Sequence, residues 1–190
     1  MPPPIGEAID SAKSRQSEGL IKISCDCNSM HKLFPPGVGV TQIRGLVNIL
    51  RDNSGKLEMS KLAEESDEEV DDLLPIIEAS VLLGLARTGG DAVALTEDGK
   101  KFASREVQAM LRAKIVSVEP FKSVIAILGE RKSATTHDLV VLLHGKKNLY
   151  RGGADEAAEQ LRNVLLHWGV RVKLLSYNLK GDAWSMKRYV

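Results

Sequence analysis

The sequence predicts a mainly α protein with small β-hairpins (α+β), arranged as two winged-helix modules in tandem. Three observations carry that expectation. Apolar residues recur at i, i+3, i+4 and i+7 in both halves of the chain, each run of helical segments closes on a glycine, and each closing glycine is followed by two β-prone stretches around a turn. With 190 residues, 43% of them hydrophobic, the chain is long enough for two small cores. The expected division is a leader arm over residues 1–40, a first module with its linking helix over 41–116, and a second module over 117–190.

Residues 1–40 show little helical periodicity beyond a polar stretch from Glu7 to Glu18, and Leu20 to Cys25 reads as a short strand. Phe34-Pro35-Pro36-Gly37-Val38-Gly39 then ends the arm, because this composition cannot continue a helix. Thr41 is the expected cap of a helix bearing Ile43, Leu46, Val47 and Leu50, which stops near Asn53-Ser54-Gly55. A short helix follows with Met59, Leu62 and Ala63. Ser66-Asp67-Glu68-Glu69 is read as the cap and acidic first turn of a third helix, with Val70, Leu73, Leu74 and Ile77 inward, continuing through Pro75 to Gly84. Leu85 to Arg87 and Ala92 to Leu95 form the hairpin around Thr88-Gly89-Gly90-Asp91. Thr96-Glu97-Asp98 then caps a long linking helix through Phe102, Met110 and Ile115.

The order recurs downstream. Phe121, Val124, Ile125 and Leu128 repeat the helical spacing, and a second helix is expected from Thr136 to His144. After a loop from Gly145 to Ala154, a third helix carries Leu161, Val164, Leu165 and Trp168 to Gly169. Strands at Val170 to Tyr177 and Ala183 to Tyr189 close the module around Asn178 to Asp182.

Several of these stretches resemble one known family. They are Gln42 to Val47, Val70 to Ala79 with its Asp71-Asp72-Leu73-Leu74-Pro75 core, Leu82 to Leu85, Ala94 to Phe102, Gln160 to Arg162, and Trp168-Gly169. Together they resemble the AAA-associated C-terminal domain, which often follows the ATP-binding cassette of nitrate/sulfonate/taurine-type transporter ATPases. The resemblance spans Pro36 to Val190 and implies an accessory module, expected here as a stand-alone chain preceded by the 40-residue arm.

The chemistry of enzymes is missing from the pattern. A phosphate-cradling loop needs Gly-x-x-x-x-Gly-Lys-Ser/Thr, and the nearest approach, Ala94 to Lys101, lacks the first glycine and the hydroxyl. Lys100 and Lys101 read as a solvated helix face. Cys25, Cys27 and His31 make an incomplete zinc set, so the cysteines read as reduced thiols. His137, His144 and His167 sit near no serine or cysteine nucleophile. Asp71 and Asp72 are adjacent and so point about 100° apart on a helix, which excludes an acid/base pair. No catalytic residue, metal or cofactor is expected.

Charge divides the chain: four basic and four acidic residues in 1–40, ten and fourteen in 41–116, twelve and seven in 117–190. The acidic surface Asp67, Glu68, Asp71 and Asp72 is therefore the expected binding site for a protein partner, an ATPase or a second copy in a homodimer. The expected function is that of a non-catalytic accessory or regulatory interaction module. The alternative is a winged-helix nucleic-acid-binding protein, a transcription regulator, whose second module touches phosphates through Lys146, Lys147, Arg151, Arg171, Lys173, Lys180, Lys187 and Arg188, with Tyr150 and Arg162 nearby. Residues 67–84 hold six acidic side chains and no basic one, which disfavours DNA for the first module. The start of the chain shows no secretory signal, and the apolar run Leu73 to Ala86 falls short of the ~18 residues a membrane span needs. A cytoplasmic protein with no membrane span is expected.

Overall fold

The structure, a computed structural model, describes residues 33–102, 107–145, 150 and 152–187. The strand expected at Leu20 to Cys25, the thiols Cys25 and Cys27, and His31 lie outside these residues. The first half runs α1 (Val40–Asp52), β1 (Lys56–Glu58), α2 (Met59–Ser66), α3 (Val70–Leu82), β2 (Ala86–Gly89) and β3 (Ala92–Leu95). Two further stretches, α4 (Glu97–Phe102) and α5 (Val107–Ile115), lie where one linking helix was expected, and residues 103–106 between them are outside the description. The second half repeats the order as α6 (Phe121–Arg131), β4 (Ser133–Thr135), α7 (Thr136–Gly145), α8 (Ala154–Val164), β5 (Leu175–Asn178) and β6 (Ala183–Met186). The fold is α+β.

Each half builds a three-stranded antiparallel sheet, not a bare hairpin, in the orders β1-β3-β2 and β4-β6-β5. The added strands pair Lys56 with Ala94 and Ser133 with Ser185. Both are three residues long and lie between helices, too short for a period of two to show in sequence. The first hairpin turns more tightly than expected. Its strands continue through Gly89, leaving Gly90 at a positive φ of 60° to begin the two-residue turn.

Helix α1 buries Ile43, Leu46, Val47 and Leu50 as the spacing predicts. Its cap is Gly39, not Thr41: the Gly39 N–H donates to Gln42 Oε1 at 2.8 Å, and Thr41 falls inside the first turn. Helix α3 departs further from expectation. It turns Leu73, Ile76, Ile77, Ala79 and Ser80 inward, while Val70 and Leu74 stand 38% and 44% exposed. The segment is apolar on two faces, and packing against α1, α2 and β2 selects the one centred on Leu73 and Ile76. Ser66 is not the cap of α3 either. Its hydroxyl donates back to Leu62 O at 2.8 Å within α2, and Glu69 takes the extended position before Val70.

Three helix ends share one device, in which the residue after the helix turns left-handed and two backbone N–H groups reach back into the last turn. After α3 that residue is Gly84, with Leu85 N–H donating to Ser80 O and Gly84 N–H to Val81 O. After α2 it is Asp67, at φ 54°. In the second half α8 passes into a π-helical turn, Leu165–Val170, and the left-handed residue is Lys173 at φ 58°, with Leu174 N–H donating to Gly169 O and Lys173 N–H to Val170 O. Gly169, expected to end the helix, lies inside it. A Cβ there would come within 2.7 Å of Leu175 Cδ1, so close approach explains this glycine.

The second half is centred on a polar hub. Asp182 Oδ1 accepts from Thr136 Oγ1 at 2.6 Å, Tyr177 OH at 2.8 Å and Arg162 Nη2 at 3.2 Å, and Oδ2 accepts from Thr136 N–H. The buried Trp184 indole donates to the same Thr136 hydroxyl. Burial raises the Asp182 carboxyl, but the hydrogen bonds from Thr136 and Tyr177 and the Arg162 charge outweigh it and leave the group below its ordinary range.

The prolines after Phe34 do stop regular structure, yet the apolar residues around them are core. Phe34 is fully buried, edge-on to Trp168 at 4.8 Å and to Phe121 at 5.9 Å. Its backbone N–H donates to Glu119 O, Tyr150 OH donates to its carbonyl, and Trp168 Nε1 donates to Val38 O, each at 2.7 Å. The chain thus crosses the second half before entering α1, and the buried apolar residues form one contiguous cluster from Phe34 to Trp184.

Candidate interaction surface

The turn between α2 and α3 places Asp67 and Glu68 outward, and α3 carries Asp71 and Asp72 in its first turn, where the helix N-terminus favours negative charge. With Glu64, Glu65 and Glu69 they make seven exposed carboxylates within nine residues, none in an ion pair among the described residues. Along the same helix run Val70, Leu74 and Val81, exposed by 38%, 44% and 39%. At 100° per residue these three fall within about 40° of one another, with Asp71 and Glu78 on one flank. The sequence placed the acids but missed this stripe, because Val70 and Leu74 satisfy a buried-face spacing equally well.

Among the described residues, the basic candidates of the second half fall at two ends of the hairpin. Lys146, Lys147, Arg151 and Arg188 lie outside the described residues. Lys180 sits at the hairpin tip, whereas Lys187 N–H donates to Leu174 O, which puts Lys187 and Lys173 at the opposite end beside Arg171. The Arg171 carbonyl in turn accepts from Gln108 of α5. Arg162 is held by Asp182, and Tyr150 is turned inward onto Phe34, its phenol raised by burial, so neither extends a basic patch as expected.

Lys100 and Gly99, at the nearest approach to a phosphate loop, have structural partners. Lys100 pairs with Glu97 at 2.7 Å and holds that carboxyl below its ordinary range. Gly99, in place of a phosphate-loop glycine, packs on the backbone: an added Cβ would meet Leu85 O at 2.0 Å, and its N–H donates to Thr96 Oγ1 as the predicted cap. Among the described residues no three His, Cys, Asp or Glu side chains group as metal ligands. No described helix is long and apolar enough to cross a membrane.

A sequence profile of the C-terminal AAA-associated domain matches residues 60–178, well over half of the chain. The chain belongs to that family. No curated protein matches it.

Proposed function

We propose that this member of the C-terminal AAA-associated domain family is a non-catalytic interaction module of two winged-helix units, 41–116 and 117–190, that presents α3 of the first unit to a protein partner. The shared order of helix, strand, two helices and hairpin, with the same strand order in each sheet, supports the winged-helix reading. The observation that carries the interaction reading is the stripe Val70, Leu74 and Val81, exposed beside Asp71, which has no ion pair among the described residues. Exposed apolar surface rimmed by charge marks protein contact, and here it fits a basic amphipathic helix whose cations meet Asp67, Glu68, Asp71 and Asp72. The description of the family as AAA-associated supports an ATPase as that partner.

The test is fluorescence anisotropy with a labelled Leu/Lys amphipathic peptide and, separately, a DNA duplex. The native chain binds the peptide, and Leu74→Asp weakens it by about tenfold or more, ~1.4 kcal/mol. Tighter binding of the duplex, lost on replacing Arg171, Lys173, Lys180 and Lys187 by glutamate, would favour the nucleic-acid reading instead. Saturable ATP turnover abolished by Lys100→Ala would contradict the non-catalytic assignment.

A further inference from the structure

A second surface adjoins the stripe. Helices α1, α2 and α3 enclose a cleft of about 260 Å³, floored by Leu46, Leu62 and Leu73 and rimmed by Glu65 and Glu68. Gly45 opens it. This glycine lies in the interior of α1, where alanine makes a more stable helix, yet apart from its chain neighbours and the nearby backbone of its own helix no heavy atom stands within 4 Å of where its Cβ would be. Neither backbone conformation nor a close neighbour calls for it, and its effect is to leave the cleft open beside the half-buried Ile49, between two carboxylates.

The shape and charge of this cleft suit an apolar side chain next to a cation, and the chain displays that pair elsewhere. Leu179 is 81% exposed, the most exposed large hydrophobic residue described, and Lys180 follows it. Both sit on a 3-10 turn, Leu179–Gly181, that Asn178 Oδ1 caps by accepting from Lys180 N–H and that Asp182 anchors to the polar hub. The tip is therefore preorganised, and it extends from the basic half while the cleft lies in the acidic half.

We propose that a second copy of this chain fills the cleft: Leu179 of one protomer inserts between α1, α2 and α3 of another, and its Lys180 pairs with Glu65 and Glu68. Two such contacts related by a two-fold axis close a dimer. The proposal goes beyond the partner reading and does not require it: the two surfaces share Glu68, but Leu74 does not line the cleft and Gly45 lies on α1, away from the stripe on α3.

Sedimentation equilibrium of the full chain tests it. The native protein is a dimer at about 50 mM salt and shifts toward monomer at about 500 mM, as screening weakens the Lys180 pairs. Gly45→Leu plugs the cleft and Leu179→Ser removes its occupant, so each variant alone is monomeric, with thermal melting showing both to be folded. Mixed together they form a dimer through one contact, the intact tip of the first entering the open cleft of the second. Leu74→Asp leaves the dimer intact, which separates failure of this proposal from failure of the partner reading. A native chain that stays monomeric at both salt concentrations, or a dimer that survives Gly45→Leu and Leu179→Ser, would overturn the proposal.

Discussion

In the first half, the carboxylates from Glu64 to Asp72 face solvent with no ion-pair partner among the described residues; in the second, Asp182 receives four hydrogen bonds from three residues and joins α7, α8 and the hairpin. Asp182 and the carboxylates from Glu64 to Asp72 are thus put to opposite uses. Where a carboxylate is satisfied internally it positions backbone; where a row of them is not, the fold holds them up against mutual repulsion. The row before and within α3 is surface charge beyond what the helix N-terminus alone would use, whereas Asp182 is tied into structure.

The largest effect expected lies where the two halves meet. Phe34→Ala should destabilise the protein by about 3–5 kcal/mol in denaturant unfolding, because it empties a site between Phe121 and Trp168 in the contiguous core. A loss under about 1 kcal/mol would mean that this segment only lies on the surface of the second half.

Next in size is Asp182→Ala, which leaves Thr136 and Tyr177 without their acceptor and should cost about 1–2 kcal/mol near neutral pH, a figure kept low because the carboxylate is partly exposed. Its pH dependence has a definite sign. The folded-state pKa lies below the unfolded value, so the stabilisation is present above the unfolded pKa and is lost as pH falls through the folded one. Urea midpoints of the native chain and the variant should therefore converge in acid, below the ordinary aspartate range. A gap that widens on acidification would contradict the hub.

Smaller and opposite in sign is the exchange of turn residues. Lys173→Gly should raise stability by up to about 1 kcal/mol, since glycine adopts the left-handed conformation without the cost that lysine bears there, while Gly84→Lys should lower it by a similar amount. Equal responses at both positions would dissolve the parallel between the two helix ends.

Much of this architecture was legible in the sequence. Periodicity located α1, α2, α3, α6, α7 and α8, and Thr96 marked the start of α4 through the cap it forms. Three features were hidden for physical reasons. The strands β1 and β4 are three residues long, so their identity comes from pairing with a distant hairpin. Lys173 occupies a position whose usual signal is glycine, and Gly169, four residues earlier, offered that signal for a different reason, the approach of Leu175. Phe34 and Val38 flank a Pro-Pro-Gly break that reads as linker, and only the three-dimensional approach of Trp168 and Tyr150 makes them core. For the candidate surface, the acids Asp67, Glu68, Asp71 and Asp72 stood out by composition. The exposure of Val70 and Leu74 did not, since α3 offers two apolar faces and the packing of α1 decides between them.

The contrast between the two uses of carboxylate is tested most directly by neutralising Asp67, Glu68, Asp71 and Asp72 together as Asn and Gln, and measuring thermal stability and binding of the basic amphipathic peptide on the same sample. Stability should change by no more than about 1 kcal/mol, as relief of repulsion offsets the lost interaction of Asp71 and Asp72 with the helix N-terminus, while peptide affinity falls by about tenfold or more. A variant that melts as early as Asp182→Ala yet binds the peptide like the native chain would contradict it.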